Sequence, residues 1–154
     1  MILRSVTGGA DGWRGPYEVM AARFKNTHNC EDQFLWQDAR QNFHVLWHHY
    51  GGGGNRWLGQ HAWSSDGYTW SDPTPAYDNT FVLEPGGGPG DVLEPGANGG
   101  AQRPSLLLDP KTKRPTHLYV ASSCGGGRHS WSPMGYKNCK PGQYTMVVPL
   151  KTAV

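Results

Sequence analysis

Glycine and proline interrupt this chain so often that long helices are excluded. The tracts GGGG (51–54), EPGGGPG (84–90) and CGGG (124–127) separate short runs rich in aromatic and β-branched residues. There are 22 Gly and 12 Pro among 154 residues. Inside a helix, Gly costs backbone entropy and Pro removes a hydrogen-bond donor, so both mark turns. The runs left between them have strand length: FLWQD, FHVLWHHY, QHAW, SLLLD, THLYVASS and YTMVVPL. They predict an all-β chain of about seven short antiparallel strands with no amphipathic helix.

The connections can be placed along the same chain. YEVMAARF has an ambiguous period and reads as a strand or a short helix. ARQN turns FLWQD back into FHVLWHHY, and GGGG connects to the next strand. SSDG is a turn, and SDPTPAY is a proline-restricted edge segment. Residues 83–100 contain VLEPG twice and read as a mobile Gly/Pro surface loop. DPKTKR joins the next two strands. The unit "acid or Arg, apolar strand, turn, aromatic strand with a polar end" occurs at 31–50 and again at 103–123. Such a repeat suggests propeller blades rather than a sandwich. A propeller closes with at least four blades, and two to three fit here. The expectation is therefore one partial domain over residues 1–154, a partial five-bladed β-propeller.

Several functional classes are excluded by composition. The net charge is +2 with 17% charged residues, and no Lys/Arg cluster exceeds two adjacent positions. That is no footprint for nucleic acid. No apolar run reaches the ~18 residues of a membrane span, and MILRSVTGGADG has no signal-peptide core. The glycine tracts lack the Lys-Ser/Thr of a phosphate loop. No cofactor is expected. The three cysteines allow one pair, Cys124 with Cys139, and one free thiol at Cys30. They leave the compartment open. Without a CxxC, zinc is not expected.

CEDQFLW, NFHVLWHH, GQHAWSSDGYTW, RPSLLLD and PTHLY, in this order and spacing, resemble the C-terminal blades of five-bladed β-propeller glycoside hydrolases. The nearest match is the family 43 type, and the likeness spans residues 12–150. The resemblance implies a glycosidase whose acids lie on inner strands of different blades. Glu31 is similar in position to the family's general acid, an expected proton donor. Gln33 stands where Pro is common, and Gln102 precedes Arg103-Pro104 where relatives often have Glu. The family's base and its pKa-tuning Asp belong to earlier blades, so the resemblance implies that they come from outside this chain. The expected partner is carbohydrate.

Each candidate residue has a functional and a structural reading. Glycoside hydrolysis needs one protonated and one ionised carboxyl. Neighbours on a strand point to opposite faces, so Glu31 and Asp32 are not expected to form that pair; both could instead be turn residues. His48 and His61 could lie near one another across a hairpin, touching sugar hydroxyls or tuning a carboxyl, or be polar strand ends. No third ligand has helpful spacing beside them, so no metal is expected. Trp36, Trp47 and Trp63 could stack on sugar rings or pack inside the fold. Arg103 could grip a substrate carboxylate or hydroxyl, or hold a salt bridge. In SSDGYTW, Asp66 and Gly67 are expected to build a turn and Trp70 to pack. The alternative function is a non-catalytic carbohydrate-binding or interaction module that needs no acid.

Overall fold

The computed structural model describes residues 2–20, 30–49, 58–78, 81–82, 92–93, 101–124 and 142–151. Among them are eleven strands and one 3-10 turn at Gly12–Arg14. The strands are β1 (Ile2–Ser5), β2 (Tyr17–Met20), β3 (Cys30–Gln37), β4 (Phe43–His49), β5 (Leu58–Ser64), β6 (Thr74–Tyr77), β7 (Phe81–Val82), β8 (Val92–Leu93), β9 (Gln102–Leu108), β10 (Pro115–Cys124) and β11 (Gly142–Pro149). Among the described residues, no helix is long and apolar enough to cross a membrane.

All pairings are antiparallel. β3-β4-β5-β6 form a four-stranded meander, and β9-β10-β11 a three-stranded one. Two small hairpins, β1-β2 and β7-β8, complete the set. The all-β expectation holds, with more strands than the seven read from the sequence. YEVM is strand rather than helix. SDPTPAY supplies β6 at the sheet edge, where prolines cost no ladder hydrogen bond. β8 lies inside the expected 83–100 loop; the rest of that loop, the GGGG tract and Cys139 fall outside the described residues.

The two large sheets pack face to face, with β9 against β3 and β4. Opposed residues of an antiparallel pair share a face. Phe34 opposes Leu46, Leu46 opposes His61, and Trp36 opposes His44. That face meets Leu106, Leu118, Val120, Met146 and Val148 of the second sheet around buried Leu46, Ala101, Leu118 and Val120. Val45, Trp47 and Ala62 point the other way and pack with Trp70 and Cys30. Gly59 is where the edge strand closes in: it opposes Tyr77, and a Cβ there would lie 1.9 Å from the Tyr77 ring.

The two sheets repeat one local design. In β3, Glu31 opposes His48 and Phe34 opposes Leu46, so Asp32 and Gln33 share the space across from Trp47. In β9, Gln102 opposes Ala121 and Ser105 opposes Tyr119, so Arg103 and Pro104 share the space across from Val120. The first bulge residue is left-handed in both, with φ 56° at Asp32 and 51° at Arg103. Each strand then runs into an aspartate that builds the hairpin turn. Asp38 Oδ1 accepts the N–H of Arg40 and Asn42 at 2.9 and 2.8 Å. Asp109 Oδ1 accepts those of Lys111 and Thr112 at 3.0 and 2.6 Å. Both turns close through a left-handed residue, Gln41 at 68° and Lys113 at 57°.

Candidate functional site

The bulge in β3 decides where the acids go. Strict alternation would send Glu31 and Asp32 to opposite faces. The extra residue and the left-handed φ at Asp32 break that alternation. One carboxylate oxygen of Glu31, one of Asp32 and one ring nitrogen of His48 all lie within 4.8 Å of one another. The expectation that only one acid faces the chemistry is corrected, because it assumed an unbroken strand. Both acids also belong to β3 itself rather than to a turn ahead of it.

The three groups differ in exposure. Glu31 and Asp32 are exposed, whereas His48 is 1% exposed. Burial pushes the His48 imidazole below its ordinary value; the Asp32 carboxylate opposes this and His49 adds to it. His48 is therefore a neutral imidazole at physiological pH beside two carboxyls. Across the sheet interface, Arg103 Nε stands 4.0 Å from Asp32 Oδ1. The equivalent bulge positions of neighbouring sheets thus carry opposite charges that meet. Left-handed backbone costs about 1 kcal/mol for a residue with a Cβ. Two such residues at one locus, each bearing an ionisable side chain, fit the pattern of strain kept where a side chain must be aimed.

Carboxylate oxygens and a neutral imidazole are also the donor types that bind divalent cations. The sequence spacing offered no third ligand beside His48; the bulge supplies Glu31 and Asp32. Arg103 already stands against Asp32 as a counter-charge.

His61 and Trp36 belong to a different group. In register His61 opposes Leu46, not His48, so the expected proximity of His48 and His61 is replaced by another contact. His61 Nε2 lies 3.0 Å from His44 Nδ1. The ring centres are 5.2 Å apart with planes 18° from parallel. The nitrogen separation accounts for most of that distance, so the rings meet edge to edge and one nitrogen donates to the other. His44 Nε2 lies 3.4 Å from Asp38 Oδ2, and Trp36 stacks on His44 with centroids 4.9 Å apart. Asp38, His44 and His61 thus form a line. His61 borders a pocket of about 200 Å³ with Trp36, Leu46, Tyr77, Leu106 and Leu118. Burial first, and the His44 ring second, bring His61 down to about 4. Burial alone would raise Asp38. The N–H of Asn42, the Asn42 amide, His44 and the N–H of Arg40 outweigh it and hold the carboxyl below its ordinary range.

The remaining candidates differ in their surroundings. Trp36 packs with Phe34, His44 and His61, and Trp47 is 2% exposed. Trp63 is 48% exposed. Asp66 Oδ1 accepts the N–H of Tyr68 and Thr69, both at 2.7 Å, and the Ser64 hydroxyl at 2.9 Å. These bonds bring its carboxyl down to about 2. Gly67 takes φ 77°, and Trp70 Nε1 donates to its carbonyl at 3.1 Å. The expected SSDG turn is present. Two residues with a part in these groups, His44 and Asp38, were not singled out by the sequence. The alternation of His44, Leu46 and His48 along β4 was the available signal for the first.

No family model, curated protein or solved structure matches the chain.

Proposed function

We propose that the chain carries the proton-donor part of a glycoside hydrolase site, built on neighbouring blades of a five-bladed propeller of the family 43 type. The observation that carries the reading is the convergence of Glu31, Asp32 and His48 at a bulged strand start, with Arg103 at the same bulge of the next sheet. Two meanders with one shared design, packed face to face, support the propeller arrangement. In such a fold the starts of the innermost strands gather near one axis, where a carbohydrate chain would lie.

Glu31 is the donor. Its carboxylic acid would give a proton to the glycosidic oxygen as the bond to the anomeric carbon breaks. A second, ionised carboxylate from the other blades would either activate water for attack at that carbon or attack it first and be released by water. Asp32, beside Arg103, is the charged neighbour that orients sugar hydroxyls. His48, neutral and buried beneath them, fixes the floor of the site. The test is hydrolysis of a panel of plant and algal polysaccharides by this chain joined to the blades that carry the base, and by the same protein with Glu31→Gln; the chain alone is expected to show no turnover. The reading expects Glu31→Gln to lower kcat by roughly 10²–10⁴-fold with an unchanged thermal midpoint. Glycan binding without turnover, equal in both proteins, would favour a non-catalytic carbohydrate-binding module instead.

A further inference from the structure

We infer that Arg103 binds a substrate carboxylate, so that the saccharide taken at this site contains a uronic acid. This rests on the Glu31 reading and deepens it by naming the substrate class.

Arg103 occupies the bulge position equivalent to Asp32, with a left-handed backbone that aims its side chain at the acid group of the neighbouring sheet. Its side chain is nonetheless 75% exposed. The contact to Asp32 is made by Nε at 4.0 Å, longer than a hydrogen bond. An exposed ion pair of that length contributes little. Holding Asp32 is thus a weak reason to place an arginine on strained backbone. Among the described residues the guanidinium donates no hydrogen bond, which leaves the fork of its two terminal nitrogens open.

That fork matches a carboxylate, which it binds through two parallel charge-assisted hydrogen bonds. The neighbouring acids set the condition that such a ligand must meet. An anionic sugar placed against Glu31 and Asp32 would be repelled unless a fixed cation met its charge. Arg103 supplies that cation beside Asp32. In a hexuronate the carboxylate sits on the carbon next to the ring oxygen, within one sugar ring of the glycosidic oxygen that Glu31 protonates. One residue can therefore reach both. A neutral hexose would meet the guanidinium only with hydroxyls.

The test is binding, by calorimetry, of tetrasaccharides of galacturonic, glucuronic and mannuronic acid and of their methyl esters. The proteins are the wild type, Arg103→Met, Arg103→Lys and Glu31→Gln. The expected result is that at least one free acid binds roughly 10- to 100-fold more tightly than its ester. Arg103→Met loses that preference, Arg103→Lys keeps part of it, and Glu31→Gln keeps or enlarges it, because it removes a carboxylate that repels the anion. Esters binding as tightly as acids, no acid binding at all, or the preference surviving in both Arg103 variants would overturn the inference. The two readings fail separately. An acid preference with turnover indifferent to Glu31→Gln keeps the Arg103 subsite and removes the proton donor. Turnover lost in Glu31→Gln without any acid preference does the reverse.

Discussion

Acidification should destabilise this fold through His61, and the size of the effect follows from its surroundings. The ring lies against Trp36 and borders a pocket with Leu46, Leu106 and Leu118, with His44 at 3.0 Å. In the folded chain it takes a proton only at about 4, against an ordinary value of 6.5. The folded value is the lower one, so the unfolded chain binds the proton first. Stability from this group is fully present above 6.5 and is lost as the pH falls toward 4. Each pH unit corresponds to roughly 1.4 kcal/mol, giving an upper bound of about 3.5 kcal/mol. The ring is only partly enclosed, and solvent screening reduces this to about 1–2 kcal/mol. Urea unfolding at half-unit steps from pH 7.5 to 4.5 would measure it. The midpoint should fall across that window, and His61→Gln should flatten the difference. His48 titrates in the same direction, so the wild-type minus His61→Gln difference is the quantity to read. A His61 ring proton resonance that titrates near 6.5, or a slope unchanged by His61→Gln, would refute the reasoning.

Other consequences can be checked together. Gly59→Ala should cost roughly 1–3 kcal/mol, since the new methyl collides with the Tyr77 ring and must displace it; thermal unfolding would show it, and an unchanged midpoint would mean that β6 moves freely. Asp32→Gly should be neutral or stabilising by up to about 1 kcal/mol because it relieves the left-handed φ, while turnover falls; destabilisation would show that the Arg103 contact outweighs the strain. Asp66→Ala should lower the thermal midpoint at neutral pH, because three donors lose their acceptor. For the wild type that contribution should fade only as the pH drops below 3.8 toward about 2.

The strands were legible because their aromatic and β-branched runs end at Gly, Pro and Asp. The SSDG turn was legible because Asp and Gly each have one physical use there. The pairing of bulges was not. Asp32 and Arg103 carry no sequence mark of a left-handed φ, and a bulge depends on the register of two strands rather than on either alone. Alternation therefore divided Glu31 from Asp32 where the backbone unites them. The same limit applied to the histidines. Spacing brings His48 and His61 to neighbouring strand ends, but register sets His61 against Leu46 and hands it to His44. Asp38 looked like a turn residue, which it is; its second contact, to His44, depends on the hairpin it builds.

The proton-donor role of Glu31 is tested most directly by leaving-group dependence. In the protein that includes the base-bearing blades, the rate of Glu31→Gln relative to the wild type should be measured on a natural uronate-containing polysaccharide and on a matched aryl glycoside. A phenolate with a low pKa leaves without a proton, so the account predicts a loss of roughly 10²-fold or more on the polysaccharide and a far smaller loss on the aryl glycoside. Equal losses on both substrates, or none on either, would contradict it.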